Sequence, residues 1–256
     1  MSIHIWKFLD KDFKISVDLD KKFKNKLKFR IEEDIKNISR KLKIQPARLY
    51  EYFIWQKSAI PLKILYNLST LINIKLEDIE RNIIMYKQLH VPEINSIKNP
   101  KFPINIAPYL TSIVANLFFD GSMPKDGKGV YYNQKNKEIM DDFLNKIKEI
   151  FGDVCHSVKR DHRGVLKCRI PRLIGEICAE VYNIRDFGTF DSKIPNKIFN
   201  LSQEHKKAFV LTAIIDEGSI TYDGSTQFGG CNKLLSEGVR SLCKDIGLKT
   251  TNVTRK

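Results

Sequence analysis

Two stretches far apart in the chain share one pattern, and that pattern restricts the fold more than any other feature of the sequence. Residues 110–121 read LTSIVANLFFDG and residues 207–218 read KAFVLTAIIDEG. Each reads as an apolar helix whose acidic charge sits in its last turn. Each then ends in acid, Gly and Ser: Asp120-Gly121-Ser122-Met123 and Glu217-Gly218-Ser219-Ile220. A helix apolar on every side must be buried on every side. The two could bury each other, which would bring Asp120 and Glu217 together at one end. Ser112, Ala115 and Asn116 on the first helix, with Ala208, Thr212 and Ala213 on the second, are small enough to permit close approach.

The segments downstream of the two helices repeat as well. After the first, residues 122–133 read as a short hairpin with an Asp126-Gly127 turn signal. An amphipathic helix over 136–151 carries Ile139, Phe143, Ile147 and Ile150 on one face. A second hairpin, 154–159 with 165–170, turns around Asp161-His162-Arg163-Gly164, and a helix over 173–182 closes the series. The second copy begins at Ser202, a good N-cap, with Glu204 in the first turn. It continues through a hairpin over 219–228 and a helix over 232–246, and runs out of sequence where its second hairpin is due.

Upstream, a strand is expected over 13–19 from its alternation of apolar and polar residues, and 18–29 fits either a strand or a helix. Ile31, Ile35, Ile38 and Leu42 form one helical stripe. Pro46 opens a helix through Ile54, Pro61 opens another to Leu71, and a further helix runs from Leu76 to about Met85. Helix, tight turn, helix is a nucleic-acid-binding arrangement. The proline-rich residues 86–107 read as a linker, with the domain boundary near 95. The bland alternative is a small helical bundle used only for packing.

Charge narrows the partner. The 256 residues carry a net charge of +14 with a pI near 9.5, and such a surplus favours a polyanion, most often nucleic acid. No apolar run reaches the roughly 18–20 residues of a membrane span. The N-terminus has no signal-peptide pattern, so the expected compartment is the cytoplasm. The five cysteines contain no CxxC, which argues against a disulfide framework. Cys155, His156, His162 and Cys168 could suggest zinc, but adjacent Cys155 and His156 would point to opposite faces of a strand, and scattered hairpin residues are the better reading.

The two acid-glycine stretches resemble the paired motifs of the LAGIDADG homing endonucleases. Val114–Gly121 matches the first motif and Leu211–Gly218 the second, and the lead-in IPNKIFNLSQEHKKAFVLTAIIDEGSI is especially similar to archaeal, intein-associated members. Phe118 and Ile215 stand where the family motif often has another acid. The N-terminal segment RKLKIQPARLYEYFIWQKSAIPLKILYNLSTLINI resembles Cro/repressor-type helix-turn-helix domains. A helix-turn-helix joined to such a core is also similar to bacterial sporulation regulators in which the core has lost nuclease activity.

The resemblance implies an α+β protein: a helical helix-turn-helix domain over 1–95 and a LAGIDADG-type αββαββα core with pseudo-two-fold symmetry over 96–256. Repeat one would span 105–193 and an incomplete repeat two 194–256. Asp120 and Glu217 would be catalytic metal ligands. Two close carboxylates repel unless a cation lies between them, and Mg2+ is an oxygen-seeking occupant able to activate water for phosphodiester hydrolysis. Gln45, Arg48, Tyr50 and Glu51 would face the DNA groove, with Lys57 and Ser58 near phosphates. Lys159, Arg160, Arg163, Lys167 and Arg169 are phosphate-contact candidates on the second hairpin, and Lys159 or Lys167 could match the family's catalytic strand lysine. The expected function is a monomeric Mg2+-dependent endonuclease acting on double-stranded DNA. The alternatives are an inactive DNA-binding regulator on the same fold and an interaction module whose helical domain packs inward.

Overall fold

The computed structural model describes residues 2–9, 15–88, 96–124, 129–184, 187, 192–230 and 232–254. The chain forms two compact units: an N-terminal unit of Ser2–Ile104 with Phe151–Cys155, and a C-terminal unit of Asn105–Ile150 with His156–Lys256. The boundary expected near residue 95 and the Asp126-Gly127 turn lie outside the described residues. Both units combine helices with antiparallel sheet, an α+β construction.

In the N-terminal unit, strand β1 (Ile15–Leu19) leads into helix α1 (Lys21–Glu32). Asp20 caps that helix: its carboxylate accepts the backbone N–H groups of Lys22 at 2.9 Å and Phe23 at 3.2 Å, satisfying donors that the first turn leaves open. The ambiguous lysine-rich stretch is therefore a helix. The stripe from Ile31 to Leu42 is divided between two helices, because α1 ends at Glu32 and α2 (Ile35–Leu42) starts afresh. Lys43 takes a left-handed conformation (φ 55°) that ends α2. Helix α3 (Pro46–Leu49) runs on as a π-helical turn over Tyr50–Ile54, with the Trp55 N–H donating to the Tyr50 carbonyl at 2.8 Å. Helices α4 (Leu62–Leu71) and α5 (Leu76–Arg81) come next.

The strand expected over 13–19 is present as β1, but the purely helical reading of the residues from Ile31 to Met85 is corrected by the structure. The helix expected to reach Met85 stops at Arg81, and Ile83–Gln88 is a strand, β3, paired with β1. Ile83 and Ile84 are β-branched and the partner strand is available, so sheet pairing overrides the helical period. Strands β2 (Ile60–Pro61), β4 (Ser96–Lys98) and β7 (Asp153–Val154) complete an antiparallel sheet in the order β2-β1-β3-β4-β7. The presumed linker 86–107 thus contributes strand to this sheet. Val17, Tyr86, Ile97 and Val154 lie opposite one another across it, and the first three are fully buried. The strand expected over 154–159 is broken for the same reason: Val154 pairs with Ile97, and the next strand begins only at Ser157.

The C-terminal unit runs α6 (Pro108–Phe119), β5 (Gly121–Ser122), β6 (Val130–Gln134), α7 (Lys137–Phe151), β8 (Ser157–Arg160), β9 (Leu166–Ile170) and α8 (Arg172–Tyr182). Its strands form one antiparallel sheet, ordered β8-β9-β6-β5. A shorter series completes the unit: α9 (Asn196–Phe199), α10 (Gln203–Glu217), the separate hairpin β10 (Gly218–Ile220) with β11 (Thr226–Phe228), and α11 (Lys233–Asp245). In α7 the buried stripe is Met140, Phe143, Ile147 and Phe151, so Ile139 and Ile150 flank it instead of lying at its centre.

Helices α6 and α10 lie side by side. The Ser112 and Thr212 hydroxyls meet at 2.6 Å, and Ala115 and Ala213 are fully buried. Thr111 bridges two helices, its hydroxyl 2.6 Å from the Tyr182 hydroxyl and 2.7 Å from His205 Nδ1. Every residue of α6 from Leu110 to Phe118 is buried. Burial on all sides fails for α10: Leu211 is 61% exposed and Ile215 42%.

Candidate functional site

The acidic centre lies where α6 and α10 end. Two glycines fix these ends by lack of space. A Cβ on Gly121 would come within 2.5 Å of Leu117 Cα, and one on Gly218 within 2.5 Å of the Ile214 carbonyl oxygen. The backbone one turn earlier occupies the space in both cases, so each helix passes directly into its strand. The residue before each glycine, Asp120 or Glu217, is delivered to a helix C-terminus. That end already carries the negative pole of the helix dipole, and a carboxylate there is unfavourable without a compensating positive charge.

A third carboxylate joins them. Asp216 accepts hydrogen bonds from the Asn116 amide at 2.9 Å and the Tyr132 hydroxyl at 2.8 Å. Asn116 also donates to the Tyr132 oxygen at 3.2 Å, and Phe143 supports the Tyr132 ring at a centroid distance of 4.3 Å. Asp120 is held by its own half: the Asn133 N–H donates to its carbonyl at 2.9 Å, and the Gln134 amide to its carboxylate at 3.4 Å. Burial, followed by the charges of Asp216 and Glu217, pushes the Asp120 carboxyl up to about 7. Burial raises Asp216 to about 6, against the hydrogen bonds of Tyr132 and Asn116 and the charge of Lys146. Glu217 is raised by burial and by Asp216. Like charges crowded in a half-dry site raise carboxyl pKa values in this way.

Among the described residues, no group of three or more His, Cys, Asp or Glu is placed to cage a metal ion. The donors at the centre are all oxygens. Mg2+ commonly takes one or two carboxylates and completes its shell with water, so the pair Asp120 and Glu217 suits it chemically. Asp216 is already engaged by Tyr132 and Asn116.

The sheet beside this centre has one apolar and one polar face. Leu166, Cys168 and Ile170 of β9 are buried, while Lys167 between them is exposed and Arg169 partly so. Register places Lys167 between Lys159 on β8 and Asn133 on β6, and Arg169 between Ser157 and Tyr131. Lys159, Lys167, Arg169, Tyr131, Asn133 and Ser122 therefore share the outer face, and Asn133 links it directly to Asp120. The Lys167 ammonium lies 5.1 Å from the Tyr131 ring centroid. Lys159 and Lys167 face each other directly, an unfavourable pairing of like charges that an anion would relieve. Arg160 is opposite Leu166 and falls on the other face. Arg163 is in the turn, paired with Asp161 at 3.4 Å.

In the N-terminal unit, Gln45, Arg48 and Lys57 are exposed, and Tyr50, Glu51 and Ser58 are half-buried. Arg48 and Glu51 bind each other at 2.8 Å, so these two groove candidates are mutually engaged. Tyr50 packs on Trp55 with ring centroids 5.8 Å apart, and the Lys57 ammonium lies 5.5 Å from the Trp55 ring. Leu49 and Phe53 are buried within the unit.

Sequence reasoning missed Asp216 and Tyr132 and treated Asn116 only as a small packing residue. The available signal was Asn116, an amide within a mostly apolar helix, one turn before Asp120. A scan against protein-family models finds no match to this chain, and a search of curated proteins finds none either. No described helix is long and apolar enough to cross a membrane.

Proposed function

We propose that the C-terminal unit is a LAGIDADG-type DNA-binding core and that the protein is a Mg2+-dependent DNA endonuclease, with a Cro/repressor-type helix-turn-helix formed by α2 and α3. The observation that carries the reading is that two close-packed helices end in acids whose charges reach one another, Asp216 and Glu217 adding to burial in raising Asp120, beside a basic, polar sheet face. Asp120 and Glu217 would hold the ion; when bound, it supplies an activated water and charge stabilisation at a phosphodiester. Lys159, Lys167 and Arg169 would receive phosphates, and Tyr131 and Asn133 would meet the strand between them. Asn116 and Tyr132 would fix Asp216 by hydrogen bonds, leaving the Glu217 carboxylate without those partners and open to the ion. Gln45 and Arg48 would read base edges, Arg48 after exchanging its Glu51 partner.

A second reading is a DNA-binding regulator without cleavage. It is favoured by the short β10–β11 hairpin, which stands apart from the four-stranded sheet and offers few strand positions for a second half-site. Plasmid nicking in Mg2+ separates the two. Nicking that is lost in Asp120→Asn and Glu217→Gln, with DNA binding retained, is expected. Salt-sensitive binding with no nicking by the unmutated protein would leave the regulator; no binding to DNA at all would overturn both.

A further inference from the structure

The side of α1 turned away from the N-terminal core carries exposed groups that neither reading above uses. Lys22, Asn25, Lys26 and Phe29 recur at helical spacing and so share one face, and all four are exposed. Phe29 is 71% exposed, an unusual place for a phenylalanine on a helix with a separate buried stripe of Leu27 and Ile31. This face is tied to the turn after the π-helical segment: the Gln56 amide donates to the Asn25 side-chain oxygen at 2.9 Å. Gln56, between Trp55 and Lys57 in the chain, holds a left-handed conformation (φ 53°). Trp55 is 55% exposed and is backed by the Tyr50 ring. The surface therefore combines two exposed aromatic rings with Lys22, Lys26 and Lys57. Its nearest acids are committed or peripheral: Asp20 caps α1, Glu32 pairs with Lys28, Glu51 pairs with Arg48, and Glu33 lies a turn beyond Phe29.

We propose that this surface of the N-terminal unit binds an unpaired nucleic-acid strand. Lysines arranged around exposed rings match a chain of phosphates whose bases can stack. A duplex hides the π faces of its bases, so the rings favour a single strand; lysines alone would not discriminate. The proposal requires neither the acidic centre nor the sheet face of the C-terminal unit.

The test is titration of the full chain with oligothymidylate, oligouridylate and a duplex, each of about ten nucleotides, within the span of a single-strand site. Trp55 and Trp6 are the two tryptophans, so stacking at the site reads out directly as quenched emission. Expected is quenching by a single strand, abolished in Trp55→Phe, and binding about tenfold weaker in Phe29→Ala. The comparison of thymidylate with uridylate separates DNA from RNA as the source of the strand. Lys22→Gln with Lys26→Gln lowers the salt slope by roughly 0.7 per lysine. The same results in a Lys159→Gln, Lys167→Gln background exclude the sheet face as their origin, and unchanged melting curves exclude misfolding. Equal affinity for duplex and single strand, with no effect of Phe29→Ala, would overturn the proposal. So would binding to phosphatidylserine–phosphatidylcholine vesicles with none to either oligonucleotide, which would make this a membrane-facing patch.

Discussion

The two halves of the C-terminal unit carry the same pattern and meet different fates. Val114, Phe118 and Met123 hold the same places relative to Asp120 as Leu211, Ile215 and Ile220 hold relative to Glu217. In the first half Val114 and Phe118 are buried. Phe118 packs on Phe187 at 5.1 Å, and Met123 lies so close to α8 that a Cβ on Gly175 would come within 2.7 Å of its sulfur. In the second half Leu211 and Ile215 are exposed, and Ile220 is 77% exposed. The difference lies in what packs against each half. In the first half Phe187 and Phe209 pack on Phe118 and α8 lies against Met123; among the described residues Leu211, Ile215 and Ile220 stay exposed. An apolar pattern states what a helix could bury, and only the rest of the fold determines whether it does.

Charge insertion tests that contrast with the largest expected effect. Val114→Asp places an unpaired carboxylate in a dry core and should cost several kcal/mol, on the order of 3–5. Leu211→Asp, at the matching position, should stay within about 0.5 kcal/mol. Urea unfolding of both variants gives the comparison directly. Equal losses would mean that Leu211 is covered in solution.

The paired glycines sharpen the comparison at a smaller scale. Gly121→Ala and Gly218→Ala both drive a methyl into the preceding turn, at a typical overpacking cost of about 1–3 kcal/mol. Gly121 is also fixed by β5, opposite Tyr132 in the four-stranded sheet, whereas Gly218 begins a separate two-stranded hairpin with fewer strand neighbours. The loss should therefore be larger at Gly121, and thermal melts of the two variants would show it. A larger loss at Gly218 would mean that the second hairpin is held more firmly than its exposure indicates.

The helix pair was readable from residue types alone. Small residues at Ser112, Ala115, Thr212 and Ala213 dictated close packing, and the acid before each glycine put a carboxylate at the end of each helix. The N-terminal sheet was not readable, since its pairing joins Val17 to Tyr86, Ile97 and Val154 across long sequence separations, and no local period encodes that. The third carboxylate escaped because Asp216 acquires its role from Asn116 and Tyr132, which belong to the other half. Cys168, one of the four hairpin residues weighed as a zinc set, is a core residue of β9, its thiol pushed up to about 12 by burial.

Acid titration compares the two terminal carboxylates themselves. The folded-state value for Asp120 is raised from 3.8 to about 7, so the folded protein holds a proton that the unfolded chain releases. Stability supplied by that proton is fully present below pH 3.8 and is lost as pH rises toward 7. Asp120→Asn should flatten the decline between those limits; Glu217→Gln should change it less. The slope should fall well below the one-proton limit of about 1.4 kcal/mol per pH unit, because solvent reaches the site. Urea midpoints measured across this pH range in chelator provide the check. Added Mg2+ should reduce the loss near neutral pH if Asp120 and Glu217 hold the ion.

The smallest effect probes how the halves are joined. Asp216 of the second half is held by Tyr132 of the first, at 2.8 Å, whereas Asp120 is held by Gln134 of its own half, at 3.4 Å. The cross-link runs in one direction. Tyr132→Phe keeps the ring on Phe143 and removes only the hydroxyl, at a cost of about 1 kcal/mol. Tyr131→Phe, the neighbour on the outer face of the sheet, should change stability by less than about 0.5 kcal/mol. Losing the Tyr132 hydroxyl also removes a bond that lowers the Asp216 pKa, so the carboxyl should titrate still higher in the variant. An NMR titration of the Asp216 side-chain carbon reads that shift apart from stability. No upward shift would mean that the Tyr132 hydroxyl does not set the state of Asp216, which burial, Asn116 and Lys146 would then fix without it.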